Sequence, residues 1–368
     1  MADPRDLAHM RAALTLPRRG LGNTWPNPAV GCVIVKEGRV AGRGWTQAGG
    51  RPHAETEALA RAGQAAKGAT AYVTLEPCSH RGKTPPCADA LIAAGIVRVV
   101  AAIEDPDPRV SGSGLARLRD AGLAVDTGLC AAEAEELNAG FFSRVTRGRP
   151  LVTLKLATSL DGRIATASGA SRWITGPAAR ERAHLLRATH DAVLVGTGTA
   201  LADDPELTCR LPGLAERSPV RIVVDRNLRL PASLRLFAGA HQAPSWVVTL
   251  AASDPRRQAA LQQRGVTIVA VEPDAAGRID LAAMLRCFGA MGLTRLLVEG
   301  GGGIAASLLE ARLVDRLVWM RAPMAIGGDG IAAVAALGLG DLAVAPRFTL
   351  LSSETAGDDA IESYRGNY

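Results

Sequence analysis

His53-Ala54-Glu55, Pro77-Cys78 and Pro86-Cys87 are the residues of this chain best suited to chemistry. One histidine and two cysteines supply three donors for a zinc ion, and the glutamate two positions after the histidine is left uncoordinated. A structural zinc closes its tetrahedron with four side chains, whereas a catalytic zinc takes three and keeps one position for water. Water held there loses a proton near neutral pH, and a free carboxylate beside it can carry that proton. An isolated cysteine is more often a small buried hydrophobe than a ligand, so the reading depends on where the local elements place these residues.

Arg51 to Leu59 reads as the start of a helix, with His53 and Glu55 in its first turn. Ala71 to Leu75 reads as a strand that delivers Glu76-Pro77-Cys78 at its end. Pro85-Pro86-Cys87 opens a helix that continues to Ala94, and Pro86 suits a helix entry. A thiol at a helix N-terminus has its thiolate, the metal-binding form, favoured by the dipole. The order H-x-E…P-C is the signature of zinc deaminases that hydrolyse an exocyclic amine of a nucleobase, with the glutamate as acid and base. One departure stands out: eight residues separate Cys78 from Cys87, where that signature has two.

Composition bounds the rest. A chain of 368 residues has a length prior of about two domains. It is 48% hydrophobic and 21% charged, enough for ordinary packed cores. No apolar run reaches the roughly 18 residues of a membrane span, and the start Met-Ala-Asp-Pro-Arg-Asp lacks the layout of a secretory signal. Six cysteines are scattered, with Cys32 in an apolar strand and Cys130, Cys209 and Cys287 isolated. That usage fits a reducing compartment better than a disulfide framework, so a cytoplasmic protein is expected. The net charge of +6 suits anionic ligands such as phosphates. Nucleic acid is not expected, since no block of five basic residues occurs and aromatics are 4%, leaving few platforms for stacked bases.

Strands and helices alternate along the chain, which indicates α/β layered domains. In the first half, helices are expected near residues 4–16, 53–63, 87–94, 114–121 and 131–142, with strands at 29–36, 39–45, 71–75, 97–103 and 124–127. Arg147-Gly148-Arg149-Pro150 is the linker, dividing the chain into domains 1–147 and 148–368. The second half opens with the strand Leu151–Ala157 and offers further strands at 192–195, 220–224, 246–250, 266–271, 295–298 and 313–320. Helical patterns lie near 177–189 and 281–292.

Two glycine-bearing turns in this half resemble nucleotide sites. Gly196-Thr197-Gly198-Thr199-Ala200-Leu201 imitates a dinucleotide fingerprint but lacks its third glycine, and Ala202-Asp203-Asp204-Pro205 is expected to interrupt the helix the fingerprint requires. Leu296–Glu299, then Gly300 to Gly303, then Ile304 to Leu309 is a strand, a glycine run and a helix. Four glycines let backbone N–H groups approach a pyrophosphate beside a helix start. A run that costs so much chain entropy is better explained by ligand binding than by a merely flexible turn.

The segments Pro26–Val35, His53–Glu55 and Thr74–Cys87 closely resemble the bifunctional deaminase/reductase family of riboflavin biosynthesis. So do Lys155–Arg163, Ser171–Gly176, Ala202–Pro205 and Val298–Gly301, and the eight-residue spacing between the cysteines is that family's most specific element. The resemblance covers nearly the whole chain. It implies a cytidine-deaminase-like α/β/α domain followed by a dihydrofolate-reductase-like α/β domain. The first would deaminate 2,5-diamino-6-(5-phosphoribosylamino)pyrimidin-4-one, and the second would use NADPH to reduce the ribosyl group of the product to ribityl. His53, Cys78 and Cys87 would hold zinc and Glu55 would carry the proton from the attacking water to the departing amine. Asn27 and the loop His80-Arg81-Gly82-Lys83 would face the base or the sugar phosphate, with a solvated loop residue as the alternative for His80.

For the reductase, the resemblance places Lys155, Ser171, Arg187, Leu207, Arg210 and Glu299 at the substrate, and arginine forks suit its phosphate. Burying Lys155 and Glu299 on apolar strands without partners would be costly. Ala157, Trp173, Thr199, Asp203 and the run Gly301, Gly302, Gly303, Ile304, Ala305, Ala306 and Ser307 would meet NADPH. Core packing is the alternative for Trp173 and a solvated helix face for Arg187. Arg226, just past a strand end, is a weaker candidate for a cofactor phosphate. The family also implies a homo-oligomer, a dimer or larger. Two competing readings are a single-activity nucleobase or tRNA deaminase with an inert C-terminal half, and a non-catalytic protein with a structural zinc. The free Glu55 argues against the second.

Overall fold

The structure is a computed structural model, described here for residues 3–80, 85–241 and 243–368. The chain divides into two compact units, the first ending at Gly148 and the second starting at Arg149.

The first unit contains α1 (Pro4–Thr15), β1 (Gly31–Lys36), β2 (Arg39–Trp45), α2 (Ala54–Ala62), β3 (Thr70–Val73), α3 (Cys87–Ala93), β4 (Arg98–Ala101), α4 (Ser113–Asp120), β5 (Ala124–Thr127) and α5 (Ala131–Arg147). Its five strands run in the order β2-β1-β3-β4-β5, antiparallel around β1 and parallel from β3 to β5. Alternate residues of each strand face opposite sides. Cys32, Ile34, Ala71 and Val73 pack with Ala54, Ala58, Ala88, Leu91 and Leu118 of α2, α3 and α4. Val33, Val35, Tyr72 and Val100 pack with Met10, Ala13 and Ala134 of α1 and α5. The result is a sheet between two helical layers. The last helix is longer than the sequence reading, continuing past residue 142 to Arg147 and ending on Gly148, which adopts the left-handed conformation typical of a helix stop.

The second unit contains β6 (Leu151–Thr158), β7 (Arg163–Ala165), α6 (Pro177–Ala188), β8 (Ala192–Gly196), α7 (Thr197–Asp203), β9 (Val220–Val224), α8 (Arg235–Ala238), β10 (Ser245–Leu250), α9 (Pro255–Gln262), β11 (Thr267–Val271), α10 (Leu281–Ala290), β12 (Arg295–Val298), α11 (Gly302–Glu310), β13 (Arg316–Arg321), β14 (Ile331–Ala332), β15 (Phe348–Ala356) and β16 (Asp359–Gly366). Nine strands form one sheet in the order β11-β10-β9-β8-β12-β6-β13-β16-β15, parallel except at β13/β16 and β16/β15. The strands that read as near-continuous apolar runs, such as β8 and β10, lie inside the sheet rather than at its edges and are buried along nearly their whole length.

Two sequence expectations need correction here. The stretch after Gly196 does form a helix, α7, which Asp204 ends in a left-handed conformation just before Pro205. The interruption was correctly located, but enough chain precedes it for two turns. The hairpin β15–β16 was not expected at all, because Leu350 to Thr355 is solvent-exposed throughout and carries no alternation toward a core.

Candidate active sites

The three candidate metal donors are presented by three consecutive elements of the first unit. His53 sits at the N-cap of α2, Cys78 follows the extension of β3, and Cys87 is the first residue of α3. His53 Nδ1 lies 3.3 Å from Cys87 Sγ and 3.7 Å from Cys78 Sγ, and all three donor atoms fall within 4.8 Å of one another. Zinc–sulfur bonds of about 2.3 Å and zinc–nitrogen bonds of about 2.05 Å at tetrahedral angles imply N···S edges of about 3.6 Å. The donor set therefore fits a zinc ion before any rearrangement. Among the described residues no other cluster of three such side chains gathers its donors this way. His80 is exposed and outside this group. Arg81, Gly82 and Lys83 lie outside the described residues.

The local electrostatics favour a thiolate at Cys78. A hydrogen bond from the Cys87 thiol, countered by burial and helped by His53 and the Cys87 amide, holds Cys78 well below an ordinary thiol. Glu55, in the first turn of α2, is buried, and that burial pushes its carboxyl up to about 7 against the pull of His53. Asn27 lies beside the segment that enters α2: its Nδ2 donates to the Gly50 carbonyl at 3.5 Å. A Cβ on Gly50 would collide with that amide at 1.9 Å, and its φ of +82° also requires glycine.

In the second unit Glu299 is the hub. It follows β12, between β8 and β6, and its side chain is 7% exposed. Arg187 grips it with both edges of the fork, Nε to Oε1 at 2.5 Å and Nη2 to Oε2 at 2.9 Å, while Nη1 donates to the Thr208 carbonyl at 3.0 Å. Lys155 Nζ stands 3.9 Å from Oε2. Burial alone would raise the Glu299 carboxyl, but Arg187 and Lys155 outweigh it and bring it down to about 2. Burial pulls the Lys155 ammonium down despite Glu299. Arg187 is thus neither a solvated helix residue nor a free fork, since most of its donors are already engaged.

Two cavities meet at this hub. One, of about 840 Å³, is lined by Ser171, Arg180, His184, Arg187, Leu207 and Arg210 among others. The second, of about 1090 Å³, is lined by Gly196 to Thr199 and Gly300 to Ile304. Lys155, Ala157, Ser171, Asp203 and Glu299 belong to both walls. Gly300 and Gly301 have φ of +109° and +24°, and the Gly301 amide donates to Thr199 Oγ1 at 3.0 Å. This ties the glycine run to the Gly196–Thr199 turn, so both glycine-bearing turns line the same cavity. A roomy cleft between the ends of parallel strands, with a glycine run opening α11, suits a dinucleotide such as NADPH.

The remaining candidates are placed as follows. Trp173 is 67% exposed at the rim of the first cavity, with the Arg180 guanidinium stacked 4.4 Å above its ring, so it is not a core residue. Arg210 is exposed and pairs with Glu206 at 3.4 Å. Ala305 and Ala306 are buried in the core behind the glycine run, and Ser307 lines a separate cavity with Arg226. Sequence reasoning missed Arg180 and His184. The signal was present: residues 180, 183, 184 and 187 recur at helical spacing on one face of α6, and all line the first cavity.

Comparison with known proteins agrees across the chain. Residues 4–103 match the cytidine and deoxycytidylate deaminase zinc-binding region, and residues 150–361 match the RibD C-terminal domain. The riboflavin biosynthesis protein RibD of Escherichia coli is 45% identical over 96% of this chain and 98% of its own. That of Aquifex aeolicus is 42% identical over 97% of each. Acinetobacter baumannii RibD superposes with a TM-score of 0.89 at 38% identity, covering 99% of both chains. A Thermotoga maritima diaminohydroxyphosphoribosylaminopyrimidine deaminase/5-amino-6-(5-phosphoribosylamino)uracil reductase gives 0.86 at 35% identity, again over 99% of both.

Proposed function

This chain belongs to the RibD family of riboflavin biosynthesis proteins, and from that premise we propose how its residues divide the work. It is a bifunctional enzyme, a zinc-dependent deaminase and an NADPH-dependent reductase. The deaminase acts on 2,5-diamino-6-(5-phosphoribosylamino)pyrimidin-4-one and the reductase on the resulting 5-amino-6-(5-phosphoribosylamino)uracil. We assign the first activity to residues 1–147 and the second to 148–368. The observation that carries the two-activity reading is the pair of sites just described: a three-donor zinc triad with a free carboxylate in one unit, and two joined cavities with a shared ionic hub in the other.

In the deaminase, zinc held by His53, Cys78 and Cys87 supplies Lewis acidity to an attacking water. Glu55 takes a proton from that water and gives it to the amine as the carbon–nitrogen bond breaks, so that water adds, a carbonyl forms and ammonia leaves. The buried site keeps bulk water from competing for the Glu55 proton. Asn27 is assigned to orient the base.

In the reductase, NADPH supplies the hydride, and the protein positions the partners. Ala157, Trp173, Thr199, Asp203 and Gly301 to Ile304 are assigned to the cofactor, while Ala305 and Ala306 back the glycine run from the core and Ser307 faces the neighbouring cavity. Ser171, Leu207, Arg210 and Arg187 are assigned to the phosphoribosyl group. The sugar ring opens as its oxygen leaves the anomeric carbon, a proton goes to that oxygen, and hydride forms the new carbon–hydrogen bond. Delivery of that proton is assigned to Lys155, whose ammonium is destabilised by burial, with Glu299 holding Lys155 and Arg187 in register.

No helix among the described residues is long and apolar enough to cross a membrane. We assign the protein to the cytoplasm on its cysteine usage. A homo-oligomer is supported by β15, an edge strand paired on one side, where Leu350 and Leu351 are 53% and 43% exposed. The test of the enzymatic reading is direct. Purified protein given the diamino substrate should release ammonia, and given the deaminated product it should oxidise NADPH. Failure of the second reaction alone would leave a single-activity deaminase.

A further inference from the structure

We propose that Glu76 is a positioning residue for deamination, holding the segment from Asp105 to Leu115 in place beside the metal ligands. Glu76 is not among the three gathered metal donors. It is buried, yet among the described residues no cation pairs with its carboxylate. Its partners are four backbone amides from one distant stretch. Oε2 accepts from Asp105 N at 3.1 Å and Gly112 N at 2.9 Å. Oε1 accepts from Gly114 N at 2.8 Å and Leu115 N at 3.2 Å.

The division between the two oxygens is informative. Gly114 and Leu115 are in the first turn of α4, whose own N-cap, Gly112, has no side chain to cap it. Oε1 therefore caps that helix from a different part of the chain. Oε2 instead secures the loop that precedes the helix. That loop carries a relay of polar groups, because Asp105 Oδ1 accepts from Asp107 N at 2.9 Å and the Asp107 carboxylate pairs with Arg109. On the other side, Glu76 is two residues from Cys78, and Ser79 Oγ lies 2.6 Å from Ser113 Oγ. A Cβ on Gly114 would stand 2.0 Å from the Pro77 carbonyl oxygen, so the two segments are in backbone contact. One carboxylate thus fixes the distance between a metal ligand and a loop bearing buried acids and an arginine, the groups suited to a polar pyrimidine and its sugar.

The inference rests on the deaminase reading of this unit. The Glu76→Gln variant tests it, because a glutamine retains one acceptor oxygen and replaces the other with a donor. Oriented to keep the α4 cap, its amide would face the Asp105 and Gly112 N–H groups, donor against donor, and release the loop. Full-length Glu76→Gln and Glu76→Ala should be loaded with zinc and compared with the parent. The measurements are deaminase kcat and KM, zinc content, thermal unfolding, and reductase activity on the deaminated substrate as an internal control. The expected result for Gln is a KM raised at least tenfold with kcat within threefold, full zinc content and unchanged reductase activity, while Ala loses both kcat and KM performance. A Gln variant with the parent KM overturns the proposal. So does loss of zinc or of cooperative unfolding in that variant, which would make Glu76 a folding residue only. The parent's ammonia release, measured alongside, tests the deaminase reading separately.

Discussion

Glu55 and Glu299 are both buried carboxylates, and their surroundings drive them in opposite directions. Glu55, desolvated and facing the thiols, rises to about 7, while Glu299 falls to about 2 because two cations reach it. The first suits a residue that must gain and lose a proton. The second suits a fixed anion that organises cations, and the two substitutions should behave differently. Glu55→Gln leaves every zinc donor in place, so metal analysis should find full occupancy while ammonia release falls by roughly 10²- to 10⁴-fold. Retained turnover in that variant would remove Glu55 from the mechanism. Glu299→Gln leaves Lys155 and Arg187 buried with their counter-ion gone. Removing one partner of such a group costs about 3–5 kcal/mol. Denaturant unfolding should register that loss, NADPH oxidation should fall, and deaminase turnover should stay at the parent level.

Among the elements, the contact between α2 and β2 decides whether the zinc ligands meet. The helix that starts at His53 lies flush on the strand because Gly42 and Gly44 present no side chain to it. A Cβ on Gly44 would stand 2.1 Å from the Ala54 carbonyl oxygen and 2.5 Å from the Ala58 amide nitrogen. Backbone cannot yield as a flexible side chain does, so Gly44→Ala must push α2 outward. Overpacking of this kind costs about 1–3 kcal/mol. The shift moves His53 and Glu55 together, so weaker zinc retention on dialysis should accompany reduced deamination. Unaltered zinc affinity would show that the helix tolerates the displacement. The strand Arg39–Trp45 and the helix near 53–63 were both legible in the sequence, but not that the strand's glycines lie under that helix.

For the molecule as a whole, acid sensitivity follows from two groups in the second unit. His190 is buried between Thr153 Oγ1 at 2.9 Å and the Leu186 carbonyl at 2.7 Å, and burial lowers its pKa to about 3. The folded protein therefore refuses a proton that the unfolded chain accepts below about 6.5. Stability is lost as pH falls from 6.5 toward 3. Glu299, depressed from 4.5 to about 2, contributes stability that is present above 4.5 and lost between 4.5 and 2. Of these two groups only His190 acts between pH 6.5 and 4.5; His184, also lowered by burial, adds to it, and Glu55 in the first unit, raised to about 7, opposes it. His190→Gln should flatten the decline in unfolding free energy between pH 7 and 5, and an unchanged slope would contradict the assignment. The proposed oligomer is tested at the same scale: Leu351→Lys on β15 should lower the mass seen in sedimentation at micromolar protein, and an unaltered mass would place the interface elsewhere.

The zinc triad was legible in the sequence because its ligands belong to short motifs at element ends, where local backbone rules fix direction over a few residues. His53 at a helix start and Cys87 behind Pro86 needed no distant information. The glycine run was legible for the same reason, since only glycine takes φ of +109° so readily. What the sequence left undecided was pairing across the chain. Arg187 and Glu299 are 112 residues apart, and only the parallel alignment of β6, β12 and β8 brings the glutamate within reach of the arginine. Likewise Glu76 reads as an ordinary acid until folding delivers four amides from the stretch Asp105 to Leu115. Motif chemistry is local and shows in residue order, whereas the charge state of a buried group depends on neighbours that only the tertiary structure supplies.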